Sequence, residues 1–179
     1  MSHRSEIEAV FTRTINRYDA LIRRICFAYS TSATSAEDLY QEAMASLWLG
    51  LKTFKGQSAL STWIYRVTLN SCISFLRRND SRNFYTVPAQ EVDLEDDNHD
   101  WGNDEYACLQ YLISLLNPMD KALLLMWLDE LSYTEIADVT GLKTNVIGTR
   151  LTRIRRQLQK MWEKEQNSYK NQFDYGKSE

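Results

Sequence analysis

The stretch from Leu131 to Lys160 constrains the fold of this chain most, because it reads as a short helix, a glycine turn and a long basic helix. Ser132 and Glu135 have the spacing of a capping box, in which each side chain satisfies a free backbone amide at a helix start. Gly141 follows where the chain must turn, a position that favours a residue tolerating positive φ. Apolar residues then recur every three or four positions, which predicts a second helix with one buried stripe.

The second helix of this pair is strongly cationic. Six basic residues and no acidic residue lie between Lys143 and Lys160, most of them outside the predicted buried stripe. A helix-turn-helix whose second helix is basic suits insertion into a DNA major groove. An antiparallel helical hairpin with a solvated basic face is the structural alternative.

The composition and periodicity of the whole chain predict an all-α fold. Only six glycines and two prolines interrupt 179 residues, and no stretch alternates with the period of a strand. We predict two small helical domains, at residues 1–78 and 104–165, joined by an acidic flexible linker at 79–103 and followed by a tail at 166–179. The tail has little periodicity and is expected to fray.

Within the first domain, we predict three helices. The first covers residues 6–29 with a break in its middle, and the second follows a capping box at residues 34–37. The third runs from a cap at Ser58 to about Arg78, where basic residues suit the negative end of the helix dipole. In the second domain, Asn117 and Pro118 form a strong helix start signal.

Charged residues are distributed unevenly along the chain. Residues 79–105 hold nine acidic residues and one basic residue, a charge of −8, so the other residues together carry +5 against a net charge of −3. Clustered carboxylates with Asn, Asp and Ser cannot bury a core, which predicts a linker of low order. The distribution of charge therefore allows a DNA-binding protein although the total is negative.

The cysteines and apolar segments indicate a reduced, cytoplasmic protein. Cys26, Cys72 and Cys108 match no zinc-binding spacing, so we expect buried, reduced thiols. The N-terminal residues lack the apolar core of a signal peptide. The longest apolar run, Ala122–Leu128, has seven residues, whereas a helix needs about 20 to span a bilayer.

The third predicted helix has the features of a surface for single-stranded or melted DNA. Residues 52–78 contain five basic residues and no acidic one, and polar, basic and aromatic residues recur opposite the apolar stripe at Thr62, Trp63, Arg66, Asn70 and Arg77. Cations follow phosphates, and aromatic faces replace lost base stacking at about 1–3 kcal/mol per base. The preceding loop, residues 56–58, offers amides and small polar groups to an extruded base edge. Core packing is the alternative role for Trp63 and Tyr65.

The second predicted helix has a different surface. Asp38, Gln41 and Glu42 line its exposed side, and Trp48 lies further along. Acidic and amide groups beside a large aromatic side chain suit a protein partner better than a phosphate backbone. A merely solvated helix face is the alternative.

Two groups of motifs resemble bacterial RNA polymerase sigma factors. The group that resembles their region 2 comprises Ala36–Glu42, Leu47–Trp48 and Ser61–Val67. The group that resembles their region 4 comprises Leu131–Ala137, Gly141–Leu142 and Thr149–Arg155. With only these two regions, joined by a short linker, the chain looks like the compact extracytoplasmic-function (ECF) subfamily of the sigma-70 family. The resemblance extends from about Phe11 to Trp162.

The resemblance implies partners and site residues. Core RNA polymerase would be bound through its β′ clamp helices and β flap, with the β′ contact made by Asp38, Gln41, Glu42 and Trp48. Promoter DNA melted at the minus-ten element would be held by Lys55, Gln57, Ser58, Trp63, Arg66, Asn70 and Arg77. The minus-thirty-five element would be read by Thr144, Asn145, Thr149, Arg150 and Arg153. The acidic linker would follow the polymerase channel toward the RNA exit path, and an anti-sigma factor is a further candidate partner.

Two positions depart from the family pattern. Many members have a serine capping the recognition helix where Lys143 stands, so we expect the cap to shift to Thr144. Many also have a lysine where Gly148 stands, which removes one expected contact with DNA. The glycine also costs about 1 kcal/mol of helix propensity.

The sequence predicts that the protein is not an enzyme and needs no metal or cofactor. Its two histidines, His3 and His99, fall in the N-terminal tail and the linker, and no nucleophile-base constellation or phosphate loop is present. Two other functions are the alternatives. One is a free-standing helix-turn-helix regulator, which would bind duplex DNA as a dimer with strong salt dependence. The other is a nucleic-acid-processing enzyme with a metal bound by the carboxylates of Glu91–Asp100.

Overall fold

A computed structural model describes residues 3–31, 33–79 and 105–174, and over those ranges the chain forms seven α-helices. They are α1 (His3–Tyr29), α2 (Ala36–Leu51), α3 (Leu60–Asn79), α4 (Glu105–Ser114), α5 (Pro118–Leu128), α6 (Tyr133–Thr140) and α7 (Thr144–Asp174). Extended pairing in these ranges is limited to an isolated bridge between Thr31 and Thr34. The all-α prediction is confirmed.

Helices α1 to α3 pack on one another as a three-helix bundle. Their core is formed by fully buried apolar residues that include Ile22, Leu39, Leu47 and Ile64. Helix α1 is continuous, so the predicted break in its middle was wrong. A stripe of its apolar residues from Phe11 to Tyr29 belongs to the apolar core cluster, so packing supports the helix across the predicted break.

The start of α2 also differs from the prediction. The N-cap is Ser35, whose hydroxyl oxygen accepts a hydrogen bond from the Asp38 amide at 3.1 Å. The predicted box placed the cap one residue earlier, at Thr34. Thr34 is buried, and its backbone forms hydrogen bonds with Thr31, so it belongs to the turn that precedes α2.

The start signals of the second domain are confirmed. Asn117 caps α5, with its side-chain oxygen 3.0 Å from the Asp120 amide, and Pro118 occupies the first turn. Ser132 and Glu135 form the predicted capping box of α6. Gly141 ends that helix with φ = 75°, the left-handed conformation that glycine adopts without steric cost.

Helix α7 is longer than predicted. It continues to Asp174, so the tail predicted at 166–179 is helical as far as the structure describes it. Beyond Met161, which packs with Cys108 and Leu112 of α4, the helix has few apolar residues to reveal its period. The residues that follow, Glu163–Gln166, are strong helix formers, and this propensity accounts for the extension.

Several predicted features lie outside the described residues: the linker predicted at 79–103, apart from Asn79 at the end of α3, with its carboxylates Glu91–Asp100 and His99, and the last residues of the tail, 175–179. The three cysteines are buried and free, as predicted. The Cys26 and Cys72 sulfur atoms lie 3.9 Å apart between α1 and α3. Among the described helices, none combines the length and the apolar character that crossing a bilayer requires.

The two helical domains pack against each other. Buried residues of both belong to one continuous apolar cluster, and α6 lies against α3. The Tyr29 hydroxyl at the end of α1 donates a hydrogen bond to the Pro118 carbonyl oxygen at the start of α5, at 2.5 Å. The domain that carries the helix-turn-helix therefore lies directly beside the third helix of the first domain.

Candidate functional site

Helix α2 presents one exposed row of side chains to solvent. The row contains Asp38, Gln41, Ala45 and Leu49, at the three- and four-residue spacing of a helix face. Leu49 is 66% exposed, more than any other large apolar side chain among the described residues. The face therefore combines an acid, an amide and an unpartnered leucine.

The other two residues predicted for this face lie on its margins. Glu42 is half-buried, and its carboxylate pairs with the Arg78 guanidinium at 2.6 Å. Trp48 is also half-buried and packs edge-on against Phe11, with ring centroids 5.0 Å apart. The Lys52 ammonium lies 4.8 Å from the Trp48 ring. Of the four predicted residues, the structure brings Asp38 and Gln41 together on the exposed row.

Helix α3 presents a basic and amide surface. Arg66, Asn70 and Arg77 are exposed along it, while Thr62 and Trp63 are half-buried. In the preceding loop, Lys55 and Gln57 are exposed, Ser58 is half-buried, and Gly56 has φ = 69°. All seven residues predicted to hold melted DNA thus lie either in this loop or on α3.

Trp63 is held in a defined position at the start of α3. Its ring packs on Phe54, with centroids 5.0 Å apart and planes inclined at 41°. A Cβ atom at Gly50 would lie 2.9 Å from Cζ2 of the same indole, closer than real Cβ contacts. Glycine at position 50 therefore leaves the space in which the Trp63 ring sits.

The first turns of α7 form the exposed part of the helix-turn-helix. Thr144, Asn145 and Thr149 are exposed, and α7 begins at Thr144, with Lys143 in the cap position. The Lys143 carbonyl oxygen accepts the bond from the Ile147 amide. Thr144 is already the first helical residue, so the predicted shift of the cap to Thr144 was wrong.

Arg150 and Arg153 of α7, both predicted to contact DNA, form ion pairs with a buried carboxylate of the same domain. The Arg150 Nη2 and the Arg153 Nη2 lie 2.6 Å and 3.2 Å from the carboxylate of Asp120, whose side chain is 2% exposed. Asn117 donates a further bond to that carboxylate at 2.6 Å. The buried charge is therefore fully paired, as buried carboxylates must be. Arg153 stays half exposed, whereas Arg150 is 25% exposed.

Gly148, the second departure from the family pattern, has a packing reason. A Cβ atom at this position would lie 3.2 Å from Cε2 of Tyr133, at the start of α6. The missing side chain lets α6 and α7 approach closely under the tyrosine ring. Glycine at position 148 thus lowers the helix propensity of α7 but allows close packing of α7 against Tyr133.

Three residues of this site are not among those predicted from the sequence. Leu49 has helical spacing from Gln41 and Ala45, which could have placed it on the face of α2. Asp120 has the sequence pattern of an acid at a helix start, and Gly50 that of a helix end. The partners of Asp120 and Gly50 lie 30 and 13 positions away, so no local signal identifies their roles.

Comparison with known proteins identifies the family. The model of sigma-70 region 2 matches residues 14–82, and the model of sigma-70 region 4 matches residues 106–158. The chain belongs to the sigma-70 family. Relatives named ECF RNA polymerase sigma factors place it in the ECF subfamily.

Three relatives illustrate the similarity. The ECF RNA polymerase sigma factor SigG of Mycobacterium tuberculosis is 32% identical over 162 residues, which are 75% of this chain and 44% of SigG. The chain thus spans less than half the length of that relative. RNA polymerase sigma factor YlaC of Bacillus subtilis is 28% identical, covering 89% of this chain and 94% of YlaC. The ECF sigma-E factor of Escherichia coli is 27% identical, over 83% of this chain and 84% of that protein.

Solved structures share the fold. Sigma factor RpoE, in complex with the anti-sigma factor NepR from Bartonella quintana, superposes with a TM-score of 0.62 at 20% identity, over 86% of this chain and 96% of RpoE. CnrH, in complex with the cytosolic domain of CnrY, also gives a TM-score of 0.62, at 18% identity, over 87% of this chain and 89% of CnrH. Both likenesses support the arrangement of the helices described above.

Proposed function

We propose that this sigma factor binds core RNA polymerase through α2, holds the melted minus-ten element with α3 and its loop, and reads the minus-thirty-five element with α7. It catalyses nothing itself, and it acts in the cytoplasm, where the polymerase performs the chemistry. The observation that carries the proposal is the exposed row Asp38, Gln41, Ala45 and Leu49, a protein-docking face beside a basic helix in the same bundle. An anti-sigma factor is a further proposed partner, since RpoE is seen in complex with one.

The α2 row suits the β′ clamp helices of the polymerase. Leu49 supplies an apolar contact, and Asp38 and Gln41 supply an acceptor and an amide that fix orientation. The row leaves out Glu42, whose carboxylate is paired with Arg78. We therefore assign Asp38, Gln41 and Leu49 to direct contact, and Glu42 and Trp48 to the support of α2 on its neighbours.

The surface of α3 suits an unpaired DNA strand. Arg66, Asn70 and Arg77 offer cations and an amide to phosphates and base edges, and Lys55 extends the positive surface into the loop. Trp63, fixed by Phe54 and Gly50, is placed to stack on a base at the edge of the melted region. Gln57 and Ser58 offer small polar groups next to it.

The start of α7 suits the major groove. Thr144, Asn145 and Thr149 are the exposed side chains of its first turns and are the proposed base contacts. Arg153, half exposed beside Asp120, is the proposed phosphate contact, and Arg150 mainly ties α7 to α5. The β flap of the polymerase is the proposed partner for the rest of this domain.

Binding to sigma-free core polymerase tests the docking face. Fluorescently labelled wild-type chain, the Asp38→Ala/Gln41→Ala chain and a Leu49→Asp chain would be titrated with core enzyme and followed by anisotropy. We expect wild type to bind stably and both variants to lose about 10-fold or more in affinity, since central contacts are worth more than about 1.4 kcal/mol each when well packed.

The matched control is Glu6→Ala/Asn16→Ala, which removes one acid and one amide from exposed positions on α1. Its affinity should equal that of wild type. Equal binding by the α2 variants and the control would disprove the docking face. Absence of any binding by wild type, together with tight binding to duplex DNA, would instead favour a free-standing regulator.

A further inference from the structure

We propose that Cys26 and Cys72 form a reversible disulfide bond when the protein meets a peroxide, and that this bond joins α1 to α3. The inference goes beyond the proposed function, because it concerns two thiols in the core of the first domain. Its test needs neither polymerase nor DNA, so it can fail without the proposed function failing.

The two thiols meet where α1 packs on α3. Cys26 belongs to the last turn of α1 and is 1% exposed, and Cys72 lies in the second half of α3 and is 0% exposed. Their sulfur atoms lie 3.9 Å apart, whereas a disulfide bond joins sulfurs at about 2.0 Å. Rotation about the Cα–Cβ bonds of the two cysteines can close a gap of that size. The fold therefore holds these two thiols in position for a bond with each other.

The same contact prepares one of the two sulfurs for reaction. The Cys72 thiol donates a hydrogen bond to the Cys26 sulfur, which stabilises the Cys26 thiolate and lowers the pKa of that thiol below its ordinary value. This hydrogen bond, together with burial, raises the pKa of Cys72, so that thiol keeps its proton. Because the thiolate is the nucleophilic form of cysteine, Cys26 reacts first and Cys72 follows.

The bond forms in two steps. The Cys26 thiolate attacks one oxygen of hydrogen peroxide, the O–O bond breaks, and the other oxygen leaves as hydroxide, which takes up a proton to become water. Cys26 is then a sulfenic acid, oxidised by two electrons. The Cys72 sulfur attacks the Cys26 sulfur, the S–O bond breaks, and the hydroxyl group leaves with the Cys72 proton as a second water.

A peroxide is the class of oxidant that suits a buried pair. Both sulfurs are buried, so an oxidant reaches them only when the helices open locally. Cys26 lies in the last turn of α1, and helix ends open at the lowest cost. Hydrogen peroxide is barely larger than water and needs only a small opening, whereas glutathione disulfide must bring a bulky peptide to the sulfur.

The third cysteine offers an internal comparison. Cys108 packs with Leu112 and Met161 in a separate apolar cluster of the second domain. Burial raises the pKa of Cys108, which leaves less of its reactive thiolate. We therefore expect Cys108 to remain a thiol under conditions that oxidise Cys26 and Cys72.

The bond would close a loop that contains the whole of α2. Cys26 and Cys72 are 46 positions apart, and α2 lies between them in the chain. A crosslink of this kind stabilises a protein mainly by restricting its unfolded chain. Asp38, Gln41 and Leu49 lie on the exposed side of α2, away from the core that holds the thiols. The oxidised form would thus keep the docking row accessible on a more stable bundle.

Thiol counting after oxidation tests the bond. The reduced full chain would be treated with hydrogen peroxide, quenched and denatured with a maleimide reagent, and a non-reducing peptide map would identify linked cysteines. We expect wild type to fall from three reactive thiols to one, with a peptide that joins Cys26 to Cys72 and is split by dithiothreitol. Cys108→Ala should form the same linked peptide, whereas Cys72→Ala should form no bond within the chain.

Two parallel series control for the fold and for the oxidant. Wild-type chain unfolded in urea before oxidation has no structure to select a pair, so we expect a mixture of linked peptides that includes Cys108. Glutathione disulfide in place of peroxide should form the bond more slowly in the native chain.

Thermal unfolding followed by circular dichroism measures the effect of the bond on stability. We expect oxidised wild type to unfold about 5–15 °C above the reduced protein, the usual range for a crosslink in a chain of this size. Peroxide-treated Cys72→Ala should keep the midpoint of its untreated form, which separates the bond from other effects of peroxide.

Three results would contradict the proposal. Three reactive thiols after treatment of the native chain, or linked peptides as mixed as those of the unfolded chain, would overturn the bond. Its formation by glutathione disulfide but not by peroxide would overturn the oxidant. An oxidised chain that unfolds at or below the temperature of the reduced chain would overturn the stabilising role.

Discussion

At the scale of single residues, Asp120 shows how one buried charge can organise a DNA-binding helix. Its carboxylate receives bonds from Arg150 and Arg153 of α7 and from Asn117, its own cap residue. A carboxylate at 2% exposure loses nearly all its hydration, so these partners are what make its burial tolerable. The recognition helix is thereby tied to the start of α5.

We predict that Asp120→Ala destabilises the protein strongly. The change leaves Arg150, which is only 25% exposed, without its acceptor, and breaking a buried pair on one side typically costs about 3–5 kcal/mol. Urea unfolding monitored by circular dichroism measures the change. Asp138→Ala, which removes an exposed acid from α6, is the control and should change stability by less than about 0.5 kcal/mol. A matching midpoint for the two variants would refute the anchoring role.

The space left by Gly50 leads to a second prediction. In a Gly50→Ala chain, the new methyl group would lie 2.9 Å from the Trp63 indole, so the ring must move away from Phe54. We expect a changed near-ultraviolet circular dichroism spectrum and weaker promoter melting, measured by permanganate reactivity of thymines with core polymerase. Glu37→Ala, at an exposed position of the same helix outside the docking row, is the control and should melt the promoter like wild type. Normal melting by Gly50→Ala would show that the position of Trp63 is not important.

At the scale of elements, local hydrogen bonds at helix starts determine where the helix-turn-helix begins. The Ser132 hydroxyl oxygen accepts from the Glu135 amide, and the Glu135 carboxylate accepts from the Ser132 amide at 2.8 Å. These two bonds and the Gly141 turn define an eight-residue helix, too short to be stable on its own. The caps therefore act together with packing on α3 and α7.

We predict that Ser132→Ala costs about 1 kcal/mol of stability, the usual effect of losing a cap. Hydrogen bonds from the Ser132 hydroxyl and amide lower the pKa of Glu135 below its ordinary value of 4.5. An acid whose pKa is lowered by folding stabilises the protein above its unfolded pKa, and this contribution disappears as the pH falls through the lower, folded pKa. The difference between wild type and Ser132→Ala should thus be full at pH 7 and shrink below about pH 4.5.

Thermal unfolding across this pH range checks the prediction. Thr134→Ala changes the exposed hydroxyl residue next to the box and should unfold like wild type at every pH. A stability difference between wild type and Ser132→Ala that stays constant down to pH 3 would show that Glu135 is not linked to the cap.

The elements that the sequence predicted correctly are those with local causes. The caps at Asn117 and Ser132 and the turn at Gly141 depend on residues within four positions, and the buried stripes repeat along each helix. The shift of the α2 cap to Ser35 and the continuity of α1 could not be predicted in this way. Both depend on what the rest of the bundle buries, such as Thr34 and the apolar side of α1.

At the scale of the whole molecule, the sequence predicted two domains but not their contact. Between the domains, the Asp129 carboxylate lies 2.6 Å from the Arg24 Nη2 and accepts a hydrogen bond from the Tyr65 hydroxyl. Along the chain, Arg24 and Tyr65 are 41 positions apart and Tyr65 and Asp129 are 64 apart, so no local pattern predicts this contact. The candidate site was likewise predicted only in part. Helical spacing identified Asp38 and Gln41, whereas the packing of Trp48 on Phe11 and of Glu42 on Arg78 depends on neighbouring helices.

Transcription by sigma-free core polymerase tests the central claim most directly. Wild-type protein would be added to core enzyme and genomic DNA fragments of the organism that encodes it, and the start sites of the transcripts would be sequenced. We predict discrete start sites that share upstream elements, and their loss with the Asp38→Ala/Gln41→Ala chain but not with Glu6→Ala/Asn16→Ala. Transcripts no more specific than those of core enzyme alone would contradict the account.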